Sequence, residues 1–456
     1  MLSSLEFSGR LDAEYYRPLF LEYENLLKNQ SSAMSDFANF LIGPFGSAFS
    51  VENYTDDKTY RYIRGKDVKQ MKLMEDDNVH LPKEDFERLS KYALKENDIL
   101  VSVVGTLGNA ALVQKGNLPA IFSCKSTVLR VKNINPSYLL TYINCKYGRS
   151  LLLRKERGAI QKGLNLDDLK TLDVYIPSKD FQLKIEQLFK RSIDGEKQVK
   201  NKYSEAEQTL LEAVGLADFN PSTQNTNIKT FAQSFGASGR LDAEYYQPKY
   251  EEIESAIISF SGDFRLGDLI EYIDTGEYSE QYLSKEKDLK FYIRSTNIKN
   301  GLIDEHDDYF VNPDSFTKFA QKGDIVTARV GTLGVFGEVQ DEIAGAVYSD
   351  NVLCFRLPNS FNSSVYTLWF NSKLNWELID RFARGSVQQR LNQETLKGLL
   401  VPIIDPATQT KISELVQQSF SLKAQGEHLL SVAKRAVEIA IEQDEAAAMA
   451  FITKSL

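Results

Sequence analysis

The chain has 456 residues, of which 42% are hydrophobic and 26% are charged, and its formal net charge is −9. This composition is typical of a globular protein and excludes collagen-like and wholly disordered chains. The acidic balance also excludes a uniformly basic coat for nucleic acid, so any DNA contact must come from local patches.

Short segments of the sequence predict the compartment. No run of about 18 apolar residues is present, so we expect no membrane span. Met1 to Arg10 lacks an apolar stretch, so we expect no secretory signal. Cys124, Cys145 and Cys354 are too few and too scattered for a disulfide framework or a zinc site. These features favour a cytoplasmic protein.

The chain is an internal duplication of a unit of about half its length. The segment Ser-Gly-Arg-Leu-Asp-Ala-Glu-Tyr-Tyr occupies residues 8–16 and recurs unchanged at residues 238–246. Later motifs recur in the same order at an offset of 226 to 230 residues, among them Tyr-Ile-Arg, Gly-Thr-Leu-Gly and Leu-Asn. Because the order is kept and the offset hardly changes, few insertions separate the copies.

Each half is predicted to hold a mixed α/β unit. β-rich runs at residues 99–104 and 325–330 precede turns that contain glycine, and residues 110–113 and 335–339 are the predicted return strands. Asp98 and Asp324 lie at matching positions just before these runs. A turn or cap role is favoured for both over catalysis.

A long amphipathic helix is predicted at the end of each half. At 1.5 Å per residue, a helix of about 32 residues measures about 48 Å. A sustained spacing of 3.5 residues between apolar or small positions is typical of a helix that packs along another helix. We therefore expect the two helices to pack on each other and to offer a further face to a partner. The positions are Ile185, Phe189, Ser192, Glu196, Val199, Tyr203, Ala206, Leu210 and Ala213, and then Leu415, Leu422, Leu429 and Ala436.

The polar stretch between the halves, rich in Asn, Ser and Thr, is predicted to be an exposed linker. The expected organisation is a globular domain at residues 1–180, a long helix at 181–216, the linker at 217–237, a second globular domain at 238–407 and a second long helix at 408–456.

Motifs for catalytic chemistry are absent from the sequence. We find no Walker A loop, no Gly-x-Gly-x-x-Gly fingerprint, no Gly-x-Ser-x-Gly elbow, and no Asn/Asp-Pro-Pro-Tyr/Phe motif of amino-methyltransferases. His80, His306 and His428 occupy unrelated positions, which does not favour a metal site. We therefore expect no cofactor and no metal.

Two loop motifs, each present in both halves, carry most of the functional information. Gly-Thr-Leu-Gly at residues 105–108 and 331–334 either forms a tight turn or lets a phosphate approach the backbone closely. Arg-Gly-x-x-Gln at residues 157–161 and 384–388 is followed by Lys162 and Arg390. Arg and Gln read guanine and adenine edges, and the alternative is a capped helix start. In an acidic protein, a repeated basic loop favours nucleic-acid contact.

The ordered motifs resemble those of the specificity subunits of type I restriction–modification systems. The resemblance rests on the segment at residues 8–16 with Pro18 and its copy with Pro248, and on Asp-Ile followed by Gly-Thr-Leu-Gly. It also rests on Arg-Gly-x-x-Gln-x-x-Leu-Asn and on Gln-x-Lys-Ile at the start of each long helix. Each motif is weak by itself, but their order, kept twice over nearly the whole chain, is specific.

The resemblance implies a non-catalytic subunit with two target recognition domains, each reading one half of a bipartite site in double-stranded DNA. It implies that the long helices lie antiparallel, set the spacing between half-sites and dock two methyltransferase subunits. Methylation and cleavage then belong to the modification and restriction subunits. The expected fold class is mixed α/β, with two pseudo-repeated globular domains joined by the helices. The nearer alternative is a related subunit with a fused methyltransferase–nuclease partner.

Comparison of the two halves sorts the candidate DNA contacts. If each half reads different bases, identical positions are scaffold or phosphate contacts, and differing positions in matching loops carry specificity. The identical positions are Arg64 and Arg294, Thr106 and Thr332, Arg157 and Arg384, and Gln161 and Gln388. The differing positions are Ser102, Lys125, Lys155 and Lys162 in the first half and Arg329, Asn351, Gln389 and Arg390 in the second.

The repeated nine-residue segments are not expected to read DNA. Arg10 and Arg240 either pair with Asp12 and Asp242 or meet carboxylates of a partner, and the adjacent tyrosine pairs could pack on the long helices. Partner docking and internal packing both stay open.

Two rival functions belong to other classes. A protein adaptor would use the helical seam without binding DNA. A duplicated hydrolase would use carboxylates such as Asp98 and Asp324, so that Asp98→Asn would abolish turnover.

Overall fold

The computed structural model describes residues 10, 12–44, 48–75, 77–158, 162–305, 309–331, 333–383 and 390–456. The chain divides into two compact units. Unit 1 comprises Met1–Glu196 with Lys423–Leu456, and unit 2 comprises Lys197–Leu422. Each unit contains one copy of the globular part of the repeat.

The helices and strands of the first copy lie mainly in unit 1. The helices are α1 (Pro18–Leu27), α2 (Lys83–Arg88), α3 (Pro136–Asn144), α4 (Lys146–Leu153), α5 (Leu166–Lys170) and α6 (Lys179–Ala213), whose second part belongs to unit 2. The strands are β1 (Ser31–Ala33), β2 (Ala38–Ile42), β3 (Tyr60–Ile63), β4 (Val79–Leu81), β5 (Ile99–Ser102), β6 (Ala110–Leu112), β7 (Ala120–Phe122), β8 (Ser126–Val131) and β9 (Asp173–Tyr175).

The strands of unit 1 form small sheets. A four-stranded antiparallel sheet has the order β2-β8-β5-β6, and a three-stranded sheet has the order β4-β3-β7. In the latter, β3 and β7 run parallel, so their carboxyl ends lie at the same edge. Strands β1 and β9 form a separate antiparallel pair.

The second copy repeats this arrangement in unit 2. The helices are α7 (Phe235–Ser238), α8 (Pro248–Ser261), α9 (Leu266–Leu269), α10 (Ser363–Phe370), α11 (Lys373–Ala383), α12 (Gln393–Lys397) and α13 (Pro406–Glu442), whose second part belongs to unit 1. The strands are β10 (Tyr272–Thr275), β11 (Lys290–Ile293), β12 (Phe310–Val311), β13 (Ile325–Ala328), β14 (Phe336–Glu338), β15 (Val347–Tyr348) and β16 (Val352–Arg356).

The sheets of unit 2 have the same order as their counterparts. The four-stranded sheet is β10-β16-β13-β14, and the three-stranded sheet is β12-β11-β15 with β11 parallel to β15. The predicted mixed α/β class with two pseudo-repeated domains is therefore confirmed. The predicted β-rich runs and return strands correspond to β5 with β6 and β13 with β14.

Both predicted long helices are present, α6 with 35 residues and α13 with 37. In unit 1, the hydroxyl of Ser192 on α6 donates to the carbonyl of Gly426 on α13 at 3.0 Å. In unit 2, the hydroxyl of Ser419 on α13 donates to the carbonyl of Val199 on α6 at 3.1 Å. Small residues at these contacts, such as Ser192, Gly426 and Ser419, therefore let the segments of α6 and α13 within each unit pack closely.

The chain beyond α13 forms a separate helix, α14 (Glu445–Ser455). Its N-cap is Asp444, whose carboxylate accepts the backbone N–H of Ala447 at 2.8 Å. Such a cap satisfies a backbone donor that a helix start leaves without an intrahelical partner. The range 408–456 therefore holds two helices rather than one.

The repeated Gln of the Gln-x-Lys-Ile motif fixes the start of each long helix. In unit 1, the side-chain oxygen of Gln182 accepts the backbone N–H of Asn135, which caps α3. In unit 2, Gln409 accepts the backbone N–H of Asn362, which caps α10. All four residues thus have structural roles, which explains why their types recur.

Asp98 and Asp324 occupy matching turns before β5 and β13. Asp98 accepts the backbone N–H of Lys95 at 2.8 Å and receives Nε and Nη2 of Arg130 at 3.1 Å. Asp324 makes the same bonds with the backbone N–H of Gln321 and the guanidinium of Arg356. Both carboxylates are buried. Their hydrogen bonds stabilise the two turns, which is the role that the sequence favours over catalysis.

The main hydrophobic cluster of each unit lies between the four-stranded sheet and the helices around it. Tyr142 on α3 and Trp369 on α10 occupy equivalent central positions and are fully buried. The hydroxyl of Tyr142 donates to the carbonyl of Asp173 at 2.5 Å, and Nε1 of Trp369 donates to the carbonyl of Leu400 at 3.1 Å. Within the described ranges, no helix is both long and apolar enough to cross a membrane.

Candidate nucleic-acid interface

Three segments predicted from the motifs meet at one residue of unit 1, Val103, which follows β5. Its backbone N–H donates to the carbonyl of Lys125 at 2.9 Å, and its carbonyl accepts the N–H of Leu164 at 3.0 Å. Val103 also leads directly into the Gly-Thr-Leu-Gly turn. The turn at 105–108, the turn around Lys125 and the loop that ends at Leu164 are therefore neighbours.

Unit 2 repeats the junction with Arg329 in place of Val103. The backbone N–H of Arg329 donates to the carbonyl of Asn351 at 2.9 Å, and its carbonyl accepts the N–H of Leu391 at 2.9 Å. The same three segments thus converge, although the residue at the junction and the residue at the neighbouring turn differ. Differences at these matched positions are what specificity for two unlike half-sites requires.

The parallel strands bring a fourth segment to the junction. The N–H of Ser123 donates to the carbonyl of Ile63 at 3.0 Å, and the N–H of Ser349 donates to the carbonyl of Ile293 at 2.9 Å. Arg64 and Arg294 directly follow Ile63 and Ile293, so both begin their turns beside the junction.

The glycines of the Gly-Thr-Leu-Gly turns have two roles. Gly105 and Gly331 have φ values of +86° and +87°, and a Cβ atom at either would meet nothing within 4 Å. Gly108 has φ +70°, and a Cβ atom there would lie 3.0 Å from the side chain of Leu153 on α4. The second glycine therefore lets the turn pack closely on the helix. The first glycine leaves the tip of the turn open, so that the backbone of a ligand can approach it.

In unit 1, four of the predicted contacts lie on the exposed surface around the junction: Thr106, Lys125, Arg157 and Lys162. The guanidinium of Arg157 is held by the buried carboxylate of Asp168, with Nη2 and Oδ1 3.1 Å apart. Lys162 pairs with Glu156, and this hydrogen bond raises the pKa of Lys162. Arg157 and Gly163 exchange backbone hydrogen bonds of 2.9 and 2.8 Å, which close the loop.

In unit 2, Asn351 and Arg390 are exposed and Arg329 is partly exposed. Nη1 of Arg329 donates to the carbonyl of Asp350 at 2.9 Å, so the guanidinium lies over the neighbouring turn. The guanidinium carbon of Arg294 lies 3.5 Å from the ring centroid of Tyr309. Such stacking is a cation–π contact and fixes the side chain.

Two of the predicted base-reading residues make structural contacts, and the burial of Ser102 shows that its assignment is wrong. Ser102 is fully buried, where its hydroxyl donates to the carbonyl of Thr106 and accepts the N–H of Asn109. Nζ of Lys155 donates to the carbonyl and the hydroxyl of Thr171, and burial lowers the pKa of this lysine. The buried hydroxyl of Ser102 is therefore not available to a base.

Arg64 is mainly a scaffold residue. Its Nε and Nη2 donate to the buried carboxylate of Asp67 at 3.1 and 3.0 Å. Burial lowers the pKa of Arg64, but the hydrogen bond and the charge of Asp67 outweigh it and leave the pKa raised. Gln161, Thr332, Arg384, Gln388 and Gln389 were also predicted contacts and lie outside the described residues.

The described part of the repeated segment, Arg10 with residues 12–16 and its copy, forms the same local structure in both units. The guanidinium of Arg10 pairs with Asp12 and that of Arg240 with Asp242. The guanidinium carbon of Arg154 lies 4.0 Å from the ring centroid of Tyr15. In the same way, the guanidinium carbon of Arg381 lies 4.3 Å from the ring centroid of Tyr245. These tyrosines therefore pack against the ends of α4 and α11, and not on the long helices as the sequence suggested.

An aromatic cluster beside each junction was missed by the sequence analysis. In unit 1, Tyr62 on β3 has ring contacts with Phe49 and Tyr54 at 5.6 and 6.1 Å between centroids. In unit 2, Tyr292 on β11 contacts Tyr282 at 5.6 Å. Burial raises the pKa of Tyr62 to about 12, so its hydroxyl stays neutral. The signal available in the sequence was Tyr before Ile-Arg in both copies.

The exposed groups around the junctions are cations, a hydroxyl, an amide and open glycine turns. These are groups that contact DNA phosphates and base edges. Among the side chains that the structure describes, no group of three or more His, Cys, Asp or Glu residues is arranged to hold a metal ion.

Most of the chain matches one known protein family. The model of the type I restriction modification DNA specificity domain matches residues 28–207 and 261–428, one range in each copy. The specificity subunit of the type I restriction enzyme EcoBI from Escherichia coli is 29% identical over 154 residues, which is 33% of this chain. The match spans 30% of the length of that curated relative.

Two solved structures are similar to this chain over most of its length. The S subunit of a type I restriction-modification system from M. genitalium has a TM-score of 0.42 and 14% identity, over 94% of this chain and 97% of that chain. The HsdS subunit from Thermoanaerobacter tengcongensis has a TM-score of 0.30 and 12% identity, over 91% of this chain and 96% of that chain.

Proposed function

Since the chain belongs to the family of type I restriction modification DNA specificity domains, we propose that it is the DNA-recognition subunit of a type I restriction–modification complex. Each unit reads one half of a bipartite site in double-stranded DNA. The subunit is cytoplasmic and has no catalytic step of its own, and methylation and cleavage are carried out by its partner subunits.

One observation carries the proposal: the same junction is built twice with different residues. Val103 and Arg329 make equivalent backbone hydrogen bonds to Lys125 and Asn351, and all of these lie beside an open glycine turn. A duplicated scaffold with unlike side chains at its matched positions suits a target with two unlike halves. An adaptor that binds no DNA gives no reason for this difference.

We further propose a role for each part of the chain. Residues 1–180 and 238–407 are the two recognition domains, and 181–216 and 408–456 are the spacer segments, joined through the linker at 217–237. The spacers set the distance between half-sites and dock two methyltransferase subunits, through which the restriction subunits join the complex. One turn of B-DNA is about 34 Å, a length that helices of this size can bridge.

The proposed DNA contacts are sorted by their surroundings. Thr106, Arg157 and Lys162 contact phosphates of one half-site, and Lys125 reads bases there. Arg329, Asn351 and Arg390 read bases of the other half-site, together with Gln389. Thr332, Arg384 and the glutamines at 161 and 388 are proposed from their motifs, and Arg64 and Arg294 hold the scaffold. Lys155 is also proposed to read bases of the first half-site, and the buried Ser102 is excluded from the interface.

A genomic base-modification map tests the function directly. We expect the strain that lacks this gene to lose methylation of one bipartite motif with an unread spacer, compared with the parent cell. Re-expression of the gene should restore the same motif. An unchanged map in a cell that expresses the protein would contradict the proposal and favour the adaptor.

Arg329→Ala should weaken recognition of one half-site by about 1–3 kcal/mol, the range typical of one good base contact. The other half-site should keep its affinity, because the equivalent junction residue there is Val103. The measurement is binding of the purified complex to duplexes altered in one half-site at a time. The control is Lys322→Ala, which removes an exposed cation paired with Asp341 at the opposite end of β13. Equal losses at both half-sites would contradict the assignment.

A further inference from the structure

A loop not identified by any sequence motif lies against the junction of unit 2. Residues 276–283 follow β10, and the N–H of Glu277 donates to the carbonyl of Tyr348 at 2.9 Å. A Cβ atom at Gly276 would lie 2.0 Å from that carbonyl oxygen and 2.4 Å from the carbonyl oxygen of Ser349. Glycine therefore lets the loop approach the backbone of the turn that carries Asn351.

The loop is held at both ends. The carboxylate of Glu277 accepts the backbone N–H groups of Thr317 and Lys318, each at 2.9 Å. Burial raises the pKa of Glu277, but these hydrogen bonds outweigh it, so that the pKa is lowered and the anchor stays ionised. At the other end, Leu283 and Phe310 exchange backbone hydrogen bonds of 2.9 and 3.1 Å. The loop is thus ordered before any ligand binds.

Between these anchors the loop presents side chains that suit bases and not phosphates. Residues 276–283 read Gly-Glu-Tyr-Ser-Glu-Gln-Tyr-Leu and contain neither Lys nor Arg. Tyr278 is 68% exposed, and Glu280 and Gln281 are exposed beside it. An aromatic ring makes apolar contact with bases such as the thymine methyl group, Gln pairs with adenine, and Glu accepts from cytosine.

Unit 1 has the same construction with other residues. A Cβ atom at Gly43 would lie 2.4 Å from the carbonyl oxygen of Ser123, which is the contact that Gly276 makes in unit 2. Tyr62 and Tyr292 are identical in the two units, whereas the rings packed on them differ. An identical tyrosine therefore supports a variable set of neighbours at the same edge of both junctions.

We infer that residues 276–283 form a base-reading loop of unit 2, in which Tyr278 makes apolar contact with a base of the half-site. The inference rests on the proposed function. It adds an uncharged aromatic side chain to a site whose other proposed base contacts are Arg329, Asn351, Gln389 and Arg390. Loss of the ring should therefore change base preference without changing the number of phosphates neutralised.

The test is selection of bound duplexes from a randomised double-stranded DNA library with the full chain in its complex, followed by sequencing. Tyr278→Ala should lower the preference for at least one base pair of a single half-site by about tenfold. The slope of log affinity against log salt should stay unchanged, because that slope counts phosphate contacts. Tyr278→Phe keeps the ring and should keep the preference.

The control is Phe231→Ala, which removes an aromatic side chain with the same 68% exposure from the linker. It should leave the selected motif unchanged. If wild-type protein selects no bipartite motif, the proposed function fails. If wild type selects one and Tyr278→Ala selects it with equal strength, the inference alone fails. If Tyr278→Ala folds poorly, Gln281→Ala takes its place, and an unaltered motif there would overturn the inference.

Discussion

Raising the salt concentration from 50 to 200 mM should weaken DNA binding by the isolated chain about 12-fold, if two phosphates are neutralised. The two exposed cations proposed for these contacts are Arg157 and Lys162. Each phosphate contact contributes about −0.9 to the slope of log affinity against log salt, because bound counterions are released. The net charge of −9 opposes association at long range, so the affinity at physiological salt should be low.

Lys162→Ala tests this prediction at a single phosphate contact. Its ion pair with Glu156 is exposed, and exposed pairs contribute little to stability, so the ammonium can exchange Glu156 for a phosphate at little cost. The variant should lower the slope by about one and weaken all sequences alike. Lys322→Ala removes an exposed cation outside the interface and should leave the slope unchanged. Tight binding at 200 mM salt without partner subunits would contradict the charge assignment.

The salt prediction depends on which cations are exposed, and the sequence could predict this only in part. The two Gly-Thr-Leu-Gly turns were correctly expected to follow strands, because β-rich runs and glycine turns are local signals. The burial of Ser102 and the bond from Lys155 to Thr171 could not be predicted, because each depends on a partner chosen by the packing of the turn. Residue type alone does not separate a lysine that faces solvent from one that closes a helix end.

The positions of Arg64 and of the aromatic clusters could not be predicted from the sequence for a different reason. Strand β3 pairs in parallel with β7, and Tyr62 lies opposite Ile121, about sixty residues away in the sequence. Pairing between short strands leaves no periodic signal that identifies the partner. The comparison of the two copies compensates in part, because the recurrence of Tyr-Ile-Arg marks the position even where its neighbours are unknown.

Trp369→Ala should lower the free energy of unfolding of unit 2 by about 3–5 kcal/mol. The ring is the largest fully buried side chain, and its removal leaves a cavity and an unpaired carbonyl at Leu400. Tyr142→Ala removes the equivalent ring of unit 1, where it should cost a similar amount. Hydrogen exchange of the full chain, followed by mass spectrometry, reports the stability of each unit separately.

Because each variant affects the core of one unit, the two should lose different halves of the same DNA motif. Trp369→Ala should abolish selection of the half-site altered by Arg329→Ala, and Tyr142→Ala should abolish selection of the other. Phe231→Ala is the control, since this aromatic side chain of the linker is 68% exposed and its loss should cost less than about 1 kcal/mol. If either core variant destabilised both units equally, the units would fold as one cooperative body. The assignment of one half-site to each unit would then lose its structural basis.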